Sequence, residues 1–137
     1  MKCDGSRGVG MIITFEIIKI SPVSTEKIDY TTIIFKTTPP QKIDIDNSKE
    51  LWIYFKTLIS GGARKIFIDL KNVQYIDSSG IGVFINSAKL IRKQNGDIVL
   101  ANVSEEVRNI FRVINLDEFI KIYNSEVEAI NSFRYVG

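Results

Sequence analysis

The sequence has no histidine, one cysteine, three prolines and no stretch of about 18 apolar residues. Without histidine there can be no Ser-His-Asp or Cys-His catalysis, no His-ligated zinc and no ordinary general base near neutral pH. A lone Cys3 cannot close an intramolecular disulfide or build a multi-thiolate metal site, and it is read as incidental. This cysteine usage fits a cytoplasmic protein. No membrane insertion is expected, and the opening Met1 to Gly10 lacks the apolar core of a secretory leader. An excess of one charge is also missing. Eighteen basic and 16 acidic residues are spread along the chain for a net charge of +2, so no basic stripe grips phosphates and nucleic acid is not an expected partner.

What is present is ordinary globular material: 137 residues, 45% hydrophobic and 25% charged. Residues 1–10, with three glycines, read as a flexible lead-in, and residues 11–135 as one domain. Met11 to Ile20 is β-branched and aromatic and breaks at Ser21-Pro22. Asp29 to Lys36 is a second strand that stops before Pro39-Pro40, and the two are expected to form a hairpin. Asn47-Ser48 offers a helix cap, and Leu51, Trp52, Phe55, Leu58 and Ile59 recur at helical spacing until Gly61-Gly62, giving a helix over 48–60. A strand follows at 65–70, a helix at about 80–93, and a strand at 98–101 after Gln94-Asn95-Gly96-Asp97. Ser104 caps a helix that buries Val107, Ile110, Phe111 and Ile114, and Asn115 ends it in the left-handed conformation. Phe119 to Tyr123 is the last strand. Ser125 to Glu128 is a capping box that opens a helix with Val127, Ile130 and Phe133 inward. The order ββαβαβαβα predicts an α/β fold with a mixed, mainly parallel sheet of about five strands and four helices.

The most informative stretch is Ile76-Asp77-Ser78-Ser79-Gly80-Ile81-Gly82, at a strand-to-helix turn. Two readings fit it. In the first, Asp77 or Ser78 caps the helix, Ser79 satisfies another N–H and Gly80 permits tight packing, with no further role. In the second, a Ser hydroxyl at a helix start is a switch, because phosphorylation adds about two negative charges to a surface that meets a partner. Hydrolase chemistry is disfavoured: the first glycine of G-x-S-x-G is replaced by Ile76 or Asp77, and no S-x-x-K spacing occurs at the turn. Gly61-Gly62-Ala63-Arg64-Lys65 is not a phosphate loop, because it precedes a strand; it reads as a helix stop with solvated charges. Gly80-Ile81-Gly82 lacks the third glycine of a dinucleotide fingerprint. Trp52, Phe55, Phe84 and Phe111 read as core, and Lys89, Arg92 and Lys93 as a solvated helix face.

The run from Lys65 to Gly82, continued through Gly96 to Ser104, Asn115-Leu116-Asp117 and Tyr123 to Ala129, resembles STAS domains, most closely bacterial anti-sigma factor antagonists. The resemblance covers roughly residues 43–133 and is strong from Lys65 onward. It implies the STAS fold and a non-enzymatic regulator of transcription. Ser78 would be phosphorylated by an anti-sigma factor that is itself a GHKL-type serine kinase. The unmodified form would bind that kinase and release a sigma factor, and a metal-dependent serine phosphatase would reset the cycle. ATP and metal then belong to partners, and the chain itself needs no cofactor. Asp44, Asp77, Ser79, Gly80, Ile81 and Gly82 would make the partner surface of a monomer or weak dimer. Two departures from the family pattern stand out: Gln41-Lys42-Ile43-Asp44 replaces the usual Gly-Glu-Leu-Asp, and Asn115 replaces a glycine. The rival implied by the same resemblance is a scaffold subunit of a signalling assembly or of a lipid transporter, with no phosphorylation. An enzyme of unknown chemistry would need convergent titratable groups in a pocket, to which no motif points.

Overall fold

The computed structural model describes residues 12–19 and 33–134. The expectations for the lead-in, Cys3 and the Ser21-Pro22 break lie outside these residues, as do those for the outer ends of the first two strands. Strands β1 (Thr14–Lys19) and β2 (Ile33–Thr38) pair antiparallel with Ile17 opposite Phe35. The hairpin pairing is therefore present, with β2 running two residues past the expected end because Thr37 and Thr38 pair with Phe15 and Thr14 before Pro39.

Next come β3 (Lys42–Ile43), α1 (Ser48–Ser60), β4 (Lys65–Asp69), β5 (Tyr75–Ile76), α2 (Ser78–Arg92), β6 (Asp97–Ala101), α3 (Glu105–Val113), a 3₁₀ turn (Leu116–Glu118), β7 (Lys121–Tyr123) and α4 (Glu126–Arg134). A five-stranded sheet has the order β1-β2-β4-β6-β7, parallel except at β1, while β3 and β5 form a separate parallel ladder. This is the predicted mixed α/β fold with four helices. The two-residue strands β3 and β5 are additions, too short for any periodicity to announce.

Alternation along the strands divides the core in two. Ile66, Ile68, Ile98 and Leu100 face α1, α2 and α3, against Leu51, Phe55, Ile59, Phe84, Ala88, Ile91, Val107 and Phe111. Ile34, Phe67, Val99 and Ala101 face the opposite side, where α4 supplies Ala129 and Phe133. Trp52 packs against the first cluster while remaining partly exposed.

Some local expectations need correction. Val127 is exposed, because it lies two residues from Ala129 and hence about 200° around the helix from the buried stripe. Ile114 is also exposed: it caps α3, and Asn115 at φ 55° turns the chain away before the side chain can join the stripe. The last strand starts at Lys121, since the 3₁₀ turn consumes the chain before Phe119. Arg92 is not a solvated charge: its Nε lies 3.0 Å from Asp97 Oδ1, its Nη2 donates to the Phe119 carbonyl at 2.6 Å, and the guanidinium sits over the Phe119 ring. Arg64 likewise donates to the Ile59 and Ala63 carbonyls and closes the end of α1. There Gly62, at φ 118°, completes a Schellman stop with Gly62 N–H on Ile59 O and Ala63 N–H on Leu58 O.

Candidate docking site

The β3–β5 ladder builds the site. Lys42 pairs with Tyr75 and Ile43 with Ile76, and just past the ladder the Ile45 N–H meets Asp77, which sets the β3–α1 turn against the start of α2. Ile43 and Ile76 are buried and anchor both segments, and Asp77 N–H donates to Ile43 O at 3.1 Å.

Helix α2 begins at Ser78, two residues earlier than expected, with Asp77 as its cap. Asp77 Oδ1 accepts from Ser79 N–H at 2.9 Å, Gly80 N–H at 3.2 Å and Ser79 Oγ at 2.5 Å. Asp77 Oδ2 accepts from Ile45 N–H at 3.0 Å. One carboxylate thus satisfies two donors of the helix start and also ties down the β3–α1 turn. The Ser79 hydroxyl bond, joined by the N–H groups of Gly80, Ile45 and Ser79, holds the Asp77 carboxyl below its ordinary range against the opposing effect of partial burial. The alternatives for the cap are therefore resolved in favour of Asp77. Relieved of capping, Ser78 sits at the first helical position and is exposed.

The facing turn is stitched from within. Asp44 N–H donates to Asn47 Oδ1 at 2.9 Å, Asp46 N–H to Asp44 Oδ1 at 3.0 Å, and Asn47 Nδ2 to Lys42 O at 2.7 Å. Asn47 spends its side chain on this turn and makes no side-chain cap to α1, contrary to the expectation for Asn47-Ser48. The outcome is an internally hydrogen-bonded turn that displays Ile45 at 73% exposure. The sequence carried no signal for Ile45, whose exposure follows from the turn after the short ladder.

Of the residues singled out in the sequence, Asp44, Asp77, Ser78 and Ser79 come together at this surface. Gly80 and Ile81 are buried beneath it, and Gly82 is half-buried one turn on. Gly80 is required by close approach: a Cβ there would lie 2.6 Å from Ile43 Cγ2 and 2.8 Å from Ile76 Cγ1. Among the described residues, no group of three or more Cys, Asp or Glu is placed to hold a metal ion, and no helix is long and apolar enough to cross a membrane.

A second polar feature lies under α4. Lys36, nearly buried, places Nζ 2.7 Å from Glu126 Oε1, 3.6 Å from Glu16 Oε1 and 3.7 Å from Asp69 Oδ2. Burial alone would lower the Lys36 pKa, but the Glu126 hydrogen bond and the charges of Glu126, Glu16 and Asp69 outweigh it and raise it. Asp69 is fully buried and also accepts from Asn102 Nδ2 at 3.1 Å and Lys71 N–H at 3.0 Å.

Comparison with known proteins places these features in a family. The STAS domain model matches residues 22–129. A Thermotoga maritima protein assigned as an anti-sigma factor antagonist is 33% identical over 98 residues, covering 70% of this chain and 86% of its own. The crystal structure of such an antagonist from the same organism superposes with a TM-score of 0.71 at 30% identity, over 78% of this chain and 90% of the other. The Bacillus antagonist SpoIIAA, solved in its unphosphorylated form, gives a TM-score of 0.62 at 19% identity over 90% of this chain and all of the other, a likeness of fold alone.

Proposed function

We propose, for a chain that belongs to the STAS domain family, the role of an anti-sigma factor antagonist in which Ser78 is the phosphoacceptor of a docking switch. The unmodified protein binds an anti-sigma factor that is a GHKL-type serine kinase and so frees a sigma factor; a serine phosphatase reverses the modification. The chain acts by docking and leaves the chemistry to its partners.

The single observation that carries this reading is the division of labour between Asp77 and Ser78. Asp77 already occupies the N–H groups of Ser79 and Gly80, which leaves the neighbouring hydroxyl exposed and unburdened by capping. A phosphoryl group on Ser78 finds those two donors taken and a carboxylate next in sequence. It therefore adds about two negative charges to the surface without a preformed internal partner. On a mating surface that contains the apolar Ile45, a dianion must be desolvated or leave the interface unformed, and an unpaired charge in such a place costs several kcal/mol.

Incubation with ATP and a purified GHKL-type kinase encoded beside this chain is expected to add the mass of one phosphoryl group, which Ser78→Ala abolishes. Modification elsewhere, or none with any such kinase alongside a stable complex, would favour the scaffold role instead.

A further inference from the structure

We propose that the cleft below the last helix, at the end of the sheet away from Ser78, binds a small amphiphilic anion with an apolar body and one carboxylate-like head. The sheet face opposite α1, α2 and α3 is covered, among the described residues, by α4, and between its Ser132 and Phe133 and the strand starts at Lys65, Asp97 and Lys121 the face is left open. The uncovered region is a cavity of about 380 Å³, near the lower end of the range for small-molecule sites. Its floor is apolar: Val99 and Phe133 are buried, and Tyr123 packs against the same cluster.

Its rim is cationic, with Arg64, Lys65 and Lys121 at the mouth. Lys121 is exposed and has no hydrogen-bond or ion-pair partner among the described residues, and the same holds for the Tyr123 hydroxyl. The one acidic side chain in the wall, Asp97, is already engaged: its Oδ1 accepts from Arg92 Nε at 3.0 Å and from Ile98 N–H at 2.8 Å. Apolar floor and net positive mouth together select a ligand with both characters. A bare anion leaves the floor wet, and a neutral apolar molecule leaves the Lys121 ammonium unanswered. Parallel strands run from this cleft toward the edge that carries Ser78, so occupancy of one site does not cover the other.

Titration of the full chain with naphthoate, followed by amide NMR, tests the assignment. Saturable shifts centred on Val99, Tyr123 and Phe133 are expected, with Ser78 and Ile45 unmoved. Naphthylmethanol, which keeps the body and lacks the charge, and inorganic phosphate, which keeps charge and lacks the body, are each expected to bind at least about tenfold more weakly. Lys121→Glu, an exposed change that keeps the fold, is expected to weaken naphthoate about tenfold. Unsaturable or scattered shifts, equal binding of either control, or full affinity in the folded Lys121→Glu variant would overturn the proposal.

Discussion

Replacing Asp77 by alanine isolates the bracket that joins the start of α2 to the β3–α1 turn. The substitution removes the cap acceptor for Ser79 and Gly80 N–H, a loss of about 1 kcal/mol in comparable helices, with extremes of about 0.5 and 2. It also removes the acceptor for Ile45 N–H, a bond worth about 0.5–1.5 kcal/mol, for a total near 2 kcal/mol. Asp77→Asn keeps one acceptor oxygen for the cap but turns an NH2 toward Ile45 N–H, so it loses that bond, about 0.5–1.5 kcal/mol, together with the charge next to the helix dipole, about 0.3–1 kcal/mol. Urea unfolding followed by circular dichroism measures both. The pH dependence supplies an internal check. Because the folded carboxyl lies below its ordinary value of 3.8, the unfolded chain takes up the proton first as pH falls. The stabilisation is therefore complete above that value and lost as pH drops through the lower folded one. The gap between the native protein and Asp77→Asn should be constant from neutrality down to about pH 5 and shrink below about pH 4. A loss under about 0.5 kcal/mol for Asp77→Ala, or a gap insensitive to acid, would refute the bracket.

Two further substitutions probe the surroundings. Gly80→Ala gains about 1 kcal/mol of helix propensity but forces a methyl into Ile43 and Ile76, and overpacking of about 1–3 kcal/mol should leave the variant destabilised in urea; a more stable protein would contradict the packing. Lys36→Met leaves the buried Asp69 carboxylate with the exposed Lys71 ammonium, 3.8 Å from Oδ2, as its remaining counter-charge and should cost at most about 3–5 kcal/mol, whereas Lys36→Met with Asp69→Leu should recover part of that in thermal unfolding; equal loss in both would count against the ion pair.

The sequence revealed most of this architecture wherever periodicity had room to speak. Leu51, Phe55 and Ile59 marked α1, and Gly62 and Asn115 stopped their helices with the positive φ expected of glycine and asparagine. The short ladder between Lys42-Ile43 and Tyr75-Ile76 was illegible, because two residues carry no period and their pairing depends on contacts across more than 30 positions. That ladder brings Ile45 N–H to Asp77 as its fourth donor, so the turn at Asp77-Ser78 was visible in the sequence, while of the facing half only Asp44, through the family resemblance, was anticipated and Ile45 was not. Val127, Ile114 and Arg92 were misplaced for a related reason: a local stripe does not reveal which neighbour a helix end will meet.

The affinity of a purified GHKL-type anti-sigma kinase for this protein, measured by calorimetry before and after complete phosphorylation of Ser78, tests the switch most directly. Phosphorylation is expected to weaken binding at least about 100-fold, or roughly 2.7 kcal/mol, with the circular dichroism spectrum unchanged. Equal affinity for the two forms would contradict the switch.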